Sequence, residues 1–254
     1  MVRRLGNYTR LSPDEEAAIR QMLALPIRFA PARRDLIAEG APPRAVFLIV
    51  SGWANQFKTL EDGRRQIVGF MLPGDTCDLN NLVLARMDHS IGAVTDVRYL
   101  EVPGEALQRL AAEHPRIGKA LWWQMLVSIS VQREWTTNLG QRNALERLGS
   151  LLCELALRMR AAGLVRGESY ELPLTQTDLA DATGLTSVHV NRTLQQMRTS
   201  GLISLSGRVL RIPSFAALQE ASLFTAEYLH RGPPDRRHGT QVPGGAGPAV
   251  NDPR

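Results

Sequence analysis

The hydrophobic pattern of this chain changes period part-way along. Between about Ile27 and Val102 apolar residues come in short β-rich runs, AVFLIVSG, ANQFKTLEDG, RRQIVGFMLPGD and IGAVTDVRYLEV, each broken by Gly, Pro or Asp. Several short strands at such spacing predict a small sandwich or barrel. Asp62-Gly63 stands between two of these runs, and this dipeptide suits a tight hairpin because glycine accepts a positive φ. From Gly104 the period becomes helical, with Pro103 and Pro115 as boundary residues. The segment RIGKALWWQMLVSISVQREWTTNLGQRN then continues without proline, and a helix from Arg116 to Leu139 is predicted. In it Leu121, Met125, Ser128, Gln132, Trp135 and Leu139 follow steps of four and three, an a/d seam with two polar interruptions. Two burials fit that seam, a partner helix from a second subunit or the chain's own β domain. Leu148, Leu152, Leu155 and Met159 form the stripe of a second helix, with Gly163 at its end. Residues 231–254 are rich in Pro, Gly and polar groups and read as a disordered tail.

The stretch LTQTDLADATGLTSVHVNRTLQQM carries the most chemistry. Thr175 stands at an N-cap with Asp178 three residues on, where a capping box usually has Glu or Gln. A helix from Gln176 to about Thr183 is predicted, then a left-handed turn at Gly184, then a second cap at Thr186. At 100° per residue Val190, Leu194 and Met197 share one face, which packs against Leu179. Val188, Arg192 and Gln195 point away, flanked by His189, Asn191 and Gln196. Arginine pairs bidentately with guanine, and Gln or Asn with adenine, in a groove about as wide as a helix. Thr186 and Ser187, at the helix N-terminus, are placed to hold phosphate. SGLISLSGRVLRI follows as two strands about a Ser206-Gly207 turn, a wing beside the reading helix. A polar helix face alone is a solvated face. The full order of cap, helix, glycine turn, cap, helix and hairpin is a DNA-binding pattern.

Composition changes this picture little. The 254 residues, 44% hydrophobic, suffice for about two globular domains. The net charge is +5, and the last 24 residues hold four Arg and two Asp, which leaves about +3 on the body. That permits a polyanionic partner without demanding one. The chain has no run of about 18 apolar residues, and MVRRLGNYTRLSPDEE lacks the apolar core of a signal peptide, so no membrane partner and a cytoplasmic location are expected. Cys77 and Cys153 are far apart, which gives neither a disulfide framework nor an iron–sulfur cluster. The histidines 89, 114, 189, 230 and 238 form no HxH or HxxxE site, and no GxSxG or phosphate loop occurs. No metal, no cofactor and no catalytic activity are therefore expected. Cys77 and His89 read as a core thiol and a hydrogen-bonded histidine rather than as haem or metal ligands.

Taken together, LEDGRRQIVGFMLPGD, QRNALERLGSLLCELA and the helix-turn-helix with its wing resemble the Crp/Fnr family of bacterial transcription regulators over about residues 10–215. The resemblance implies an α+β fold. It would comprise a double-stranded β-helix of the cyclic-nucleotide-binding type over residues 10–113, a dimerisation helix over 114–141 and a winged helix-turn-helix over 142–217. It also implies a homodimer on a two-fold symmetric operator in double-stranded DNA, in contact with RNA polymerase, with a small-molecule effector as a further partner. Thr175 and Gln176 match family positions that touch phosphate, and Ser187, Val188 and Arg192 match positions that read bases. Val188 departs from the Glu of the best-known members, so a different operator is expected. In the sensor region His89-Ser90 stands where cyclic-nucleotide-binding members have Arg-Ser, and Asp78-Leu79 stands near their Glu-Leu. A neutral histidine is a poor substitute for a permanent guanidinium fork facing phosphate. The resemblance therefore points to a branch that is neither cyclic-AMP-responsive nor iron–sulfur-dependent, with Asp78, Leu79, His89 and Ser90 as candidate effector residues.

Overall fold

The computed structural model describes residues 1–230 apart from 44, 78, 80–83 and 166. The expected tail at 231–254 and the candidate Asp78 lie outside the described residues. Among those described, two helices come first, α1 (Val2–Gly6) and α2 (Pro13–Met22). The hydrophobic pattern had not suggested either. Yet Ser12 and Glu15 cap α2 reciprocally, so SPDEE carried a readable start signal.

The strands are β1 (Arg28–Ala30), β2 (Asp35–Ile37), β3 (Ala45–Ser51), β4 (Ala54–Thr59), β5 (Arg65–Met71), β6 (Thr76–Cys77), β7 (Ser90–Ala93) and β8 (Val97–Pro103). They form two antiparallel sheets, ordered β1-β8-β3-β6 and β2-β7-β4-β5, which close into a roll. The sequence of β3 shows how. Its Phe47 and Ile49 meet Ala30, Cys77, Ile91 and Tyr99 inside the roll. Val46 and Leu48 on the other face meet Leu100, Val102 and the helices outside. A strand covered on both sides needs a continuous apolar run rather than an alternating one. Gly63, at φ +84°, turns β4 into β5, and Leu60 N donates to Arg64 O at 2.8 Å across that turn.

Outside the roll lie α3 (Gly104–Glu113) and α4 (Pro115–Gln141). Ile117, Ala120, Leu121 and Val127 of α4 enter the core with β3 and β8. Trp135 packs against Phe70, ring centroids 6.2 Å apart, and Gln132 donates to Val68 O at 2.8 Å. Of the two burials that fit the seam, its best apolar members, Leu121 and Trp135, take the second, covered by their own β domain. The open face lies one step round the helix, where Trp122, Leu126 and Ile129 are 69%, 52% and 44% exposed and again separated by four and three.

The C-terminal half is built on α5 (Ala144–Ala161), whose Leu148, Leu152, Leu155 and Met159 are all buried. On it sit α6 (Gln176–Thr183) and α7 (Ser187–Thr199), through Leu179, Val190, Leu194 and Met197. The wing is three-stranded, ordered β10-β11-β9. Its β10 (Ser204–Ser206) and β11 (Val209–Arg211) are the expected hairpin, and β9 (Ser169–Glu171) adds an edge the sequence had not suggested. Beyond the wing, α8 (Phe215–Ala221) packs on α5, and a closing turn, Glu227–Leu229, returns to α4.

Candidate nucleic-acid interface and effector cavity

Local capping builds the helix-turn-helix. Thr175 accepts from Asp178 N, and Asp178 in turn accepts from Thr175 N at 2.9 Å. Aspartate thus closes the capping box in place of Glu or Gln. Gly184 follows at φ +66°, and the Thr186 hydroxyl accepts from His189 N at 3.2 Å to start α7. Val190, Thr193, Leu194 and Met197 are buried, which fixes the rotation of α7. Val188, 81% exposed, therefore stands outward, together with exposed Asn191, Arg192 and Gln195, while Ser187 and His189 are half-buried at the rim. Among the described residues no hydrogen bond or ion pair engages Arg192. Thr175, Gln176 and Thr186 are exposed at the two helix starts, where backbone N–H groups and the helix dipole favour an anion.

The sensor candidates are placed differently. Leu79 is buried in the core shared with α3 and α4. The Ser90 hydroxyl accepts from Glu39 N at 2.9 Å. His89 is held between Asp88, 2.7 Å from Nδ1, and Gln56, 3.0 Å from Nε2.

Residues 27–114 match the cyclic nucleotide-binding domain family and residues 146–221 the Crp-like helix-turn-helix domain family. The transcriptional activator protein FnrL of Cereibacter sphaeroides is 30% identical over 223 residues, 86% of this chain and 88% of that protein. The nitrogen fixation regulation protein FixK of Azorhizobium caulinodans is 33% identical over 205 residues, 79% and 82% of the two chains. The chain belongs to the Crp/Fnr family. The structure of FixK2 from Bradyrhizobium japonicum superposes with a TM-score of 0.70 at 26% identity, over 77% of this chain and 96% of that one.

The Crp/Fnr roll seen here has a cavity, and none of Leu79, His89 and Ser90 lines it. Its volume is about 240 Å³, between α1, β5, the Pro73-Gly74-Asp75 turn, α4 and the end of α5. Asp75 anchors one end. It is buried and pairs with Arg4 and, at 2.6 Å, with Arg158 of α5. Burial pushes its carboxyl up, but the two guanidiniums outweigh that and hold it below the ordinary aspartate range. Arg158 also reaches Glu154 at 3.0 Å, whose other oxygen accepts from Trp135 Nε1 and the Tyr228 hydroxyl. One polar chain therefore runs from the roll through α5 to α4 and the closing turn.

A second link between the halves lies at α6. The guanidinium of Arg33 forks onto buried Asp178 at 2.8 and 3.0 Å, and Arg65 lies 3.8 Å from Asp181. Burial pushes Asp178 up, yet its bonds to Arg33 and Thr175 lower its pKa overall. The sequence reading missed both links. Capping explains Asp178 locally, and nothing near it in the chain points to Arg33. Among the described residues no group of three or more His, Cys, Asp or Glu could hold a metal ion, and no helix is long and apolar enough to cross a membrane.

Proposed function

We propose that the chain is a homodimeric, sequence-specific DNA-binding regulator that acts on a palindromic operator. In this reading α7 enters the major groove. Thr175, Gln176, Thr186 and Ser187 hold phosphate, and Val188, His189, Asn191, Arg192 and Gln195 face base edges. The observation that carries it is the outward face of α7, where an unengaged Arg192 stands beside exposed Asn191 and Gln195 on a helix pair locked by two caps and a left-handed glycine. Arg208, exposed beside Gly207 in the wing turn, adds a phosphate contact. The apolar face of Trp122, Leu126 and Ile129 supplies the dimer seam, which sets two reading helices one DNA turn apart, about 34 Å. A cytoplasmic location, contact with RNA polymerase and a small-molecule effector complete the proposal.

Genomic fragments retained by the purified protein give the operator, and gel-shift titration on it across salt tests the reading. A palindromic motif with a steep fall in affinity as salt rises is the expected result. Equal affinity for the motif and for random DNA would defeat base reading.

A further inference from the structure

We propose that the cavity between the roll and α5 binds a small monocarboxylic acid with a short apolar chain, and that the DNA-reading half senses this ligand directly. Only the second clause rests on the function proposed above.

The cavity's 240 Å³ is below the roughly 300–1,000 Å³ of drug-sized ligand sites. That space suits a ligand of about ten non-hydrogen atoms. Phe70, Met71, Val127, Val131 and Leu229 give it an apolar side. Its other end is formed by Arg4, Asp75 and Arg158. Asp75 is fully used, holding Arg4, Arg158 and the N–H of Leu72. Arg4 and Arg158 each also retain an Nε–H, buried behind the cavity wall, with no partner among the described residues, which a turn of the guanidinium toward the cavity would present to a ligand. Such a donor is costly to leave unmade, and a carboxylate supplies two acceptors in the plane a guanidinium prefers.

Charge selects among the anions. Arg4 and Arg158 are matched by Asp75 and Glu154, two against two. The N-terminal amine of Met1 also lines the cavity, and burial and Arg4 push it toward its neutral form. The site therefore offers donors with little surplus positive charge, which fits a monoanion better than a phosphate dianion. An apolar chain on the acid fills the side formed by Val127 and Val131, and each buried methylene strengthens binding about fourfold. Coupling is built in, because Arg158 belongs to α5, on which α6 and α7 rest. A carboxylate that draws Arg158 or Arg4 away from Asp75 alters the bond that fixes α5 to the roll.

Isothermal titration of octanoate, hexanoate and inorganic phosphate into the full chain tests the site. One octanoate per chain is expected, with hexanoate weaker by about fourfold per methylene removed and no saturable heat from phosphate. Arg4→Gln should weaken octanoate at least tenfold. Val131→Phe fills the apolar side without touching a charge and should do the same, each variant keeping a cooperative melt. Octanoate should also shift operator affinity in a gel shift. No saturable octanoate heat, folded variants that bind octanoate as tightly as the unmodified chain, or phosphate binding as tight as octanoate overturns the site. Operator binding without added acid is measured in parallel. Its loss would sink the DNA-reading function and leave the cavity result standing, whereas intact operator binding with no octanoate heat would sink the cavity proposal alone.

Discussion

At position 184 a side chain would have two obstacles. The backbone sits at φ +66°, and a Cβ there would lie 3.2 Å from Leu139 Cδ2 of α4. Gly184→Ala should therefore cost about 1–3 kcal/mol, read as a lower denaturant midpoint, and should weaken operator binding by loosening the angle between α6 and α7. Arg192 is the opposite case, a side chain whose packing cost is nil. Arg192→Ala should leave stability unchanged and cost about 1–3 kcal/mol at the specific site, with much less loss on random DNA. Equal losses on the two DNAs in a competition gel shift would make Arg192 a phosphate contact instead. Gly184, Thr175 and Thr186 were legible in the sequence because caps and glycine turns are decided within four residues. The Arg33–Asp178 pair, 145 residues apart, was not, since nothing local distinguishes a capping aspartate from one that also takes a guanidinium.

Helices and strands followed the same divide between local and distant causes. The stripe of α5, the β4–β5 hairpin and the wing pair were readable because period and turn chemistry agree there. The strand β9 was not, because three residues carry no period and no hairpin turn joins them to their partner β11. Tyr170 is placed instead by burial and by its hydroxyl bond to Leu152 O at 3.1 Å. The length of α4 was readable, but which of its faces meets a partner depends on where the roll packs. The dimer test accordingly falls on the open face. Ile129→Asp should put a charge into the apolar contact between two copies and dissociate it. Sedimentation at micromolar concentration would show a monomer, with operator affinity falling in step. A dimer that survives this change, and Leu126→Asp as well, would place the interface elsewhere.

For the whole molecule, the contacts between halves make stability depend on pH. Asp75 and Asp178 are both pushed up by burial but pulled further down by Arg4 and Arg158 and by Arg33 and Thr175, to net values below the ordinary 3.8. A carboxylate with a depressed folded pKa contributes fully above its unfolded value and loses that contribution as pH falls through the folded one. The melting temperature should owe no loss to these two groups from pH 7 to about 5, then drop below 3.8. Asp75→Asn would remove part of that acid sensitivity. Ligand response belongs to this scale too. With His89 tied to Asp88 and Gln56 rather than a guanidinium at that place, calorimetry should find no low-micromolar binding of cyclic AMP. Such binding, accompanied by tighter operator binding, would overturn that expectation.

The closing turn bears on how regulators of this kind can be recombined. Glu154 is buried, and one of its donors, Tyr228, lies 74 residues downstream and beyond the wing. A chimera that transplants the DNA-reading half and stops at the last wing strand would strand that acid inside α5 with Trp135 and Arg158 as its remaining donors. The unit that can be exchanged between relatives therefore extends at least to residue 229, and grafts ending near 217 should express as less stable, more protease-sensitive proteins even with every residue of α7 intact.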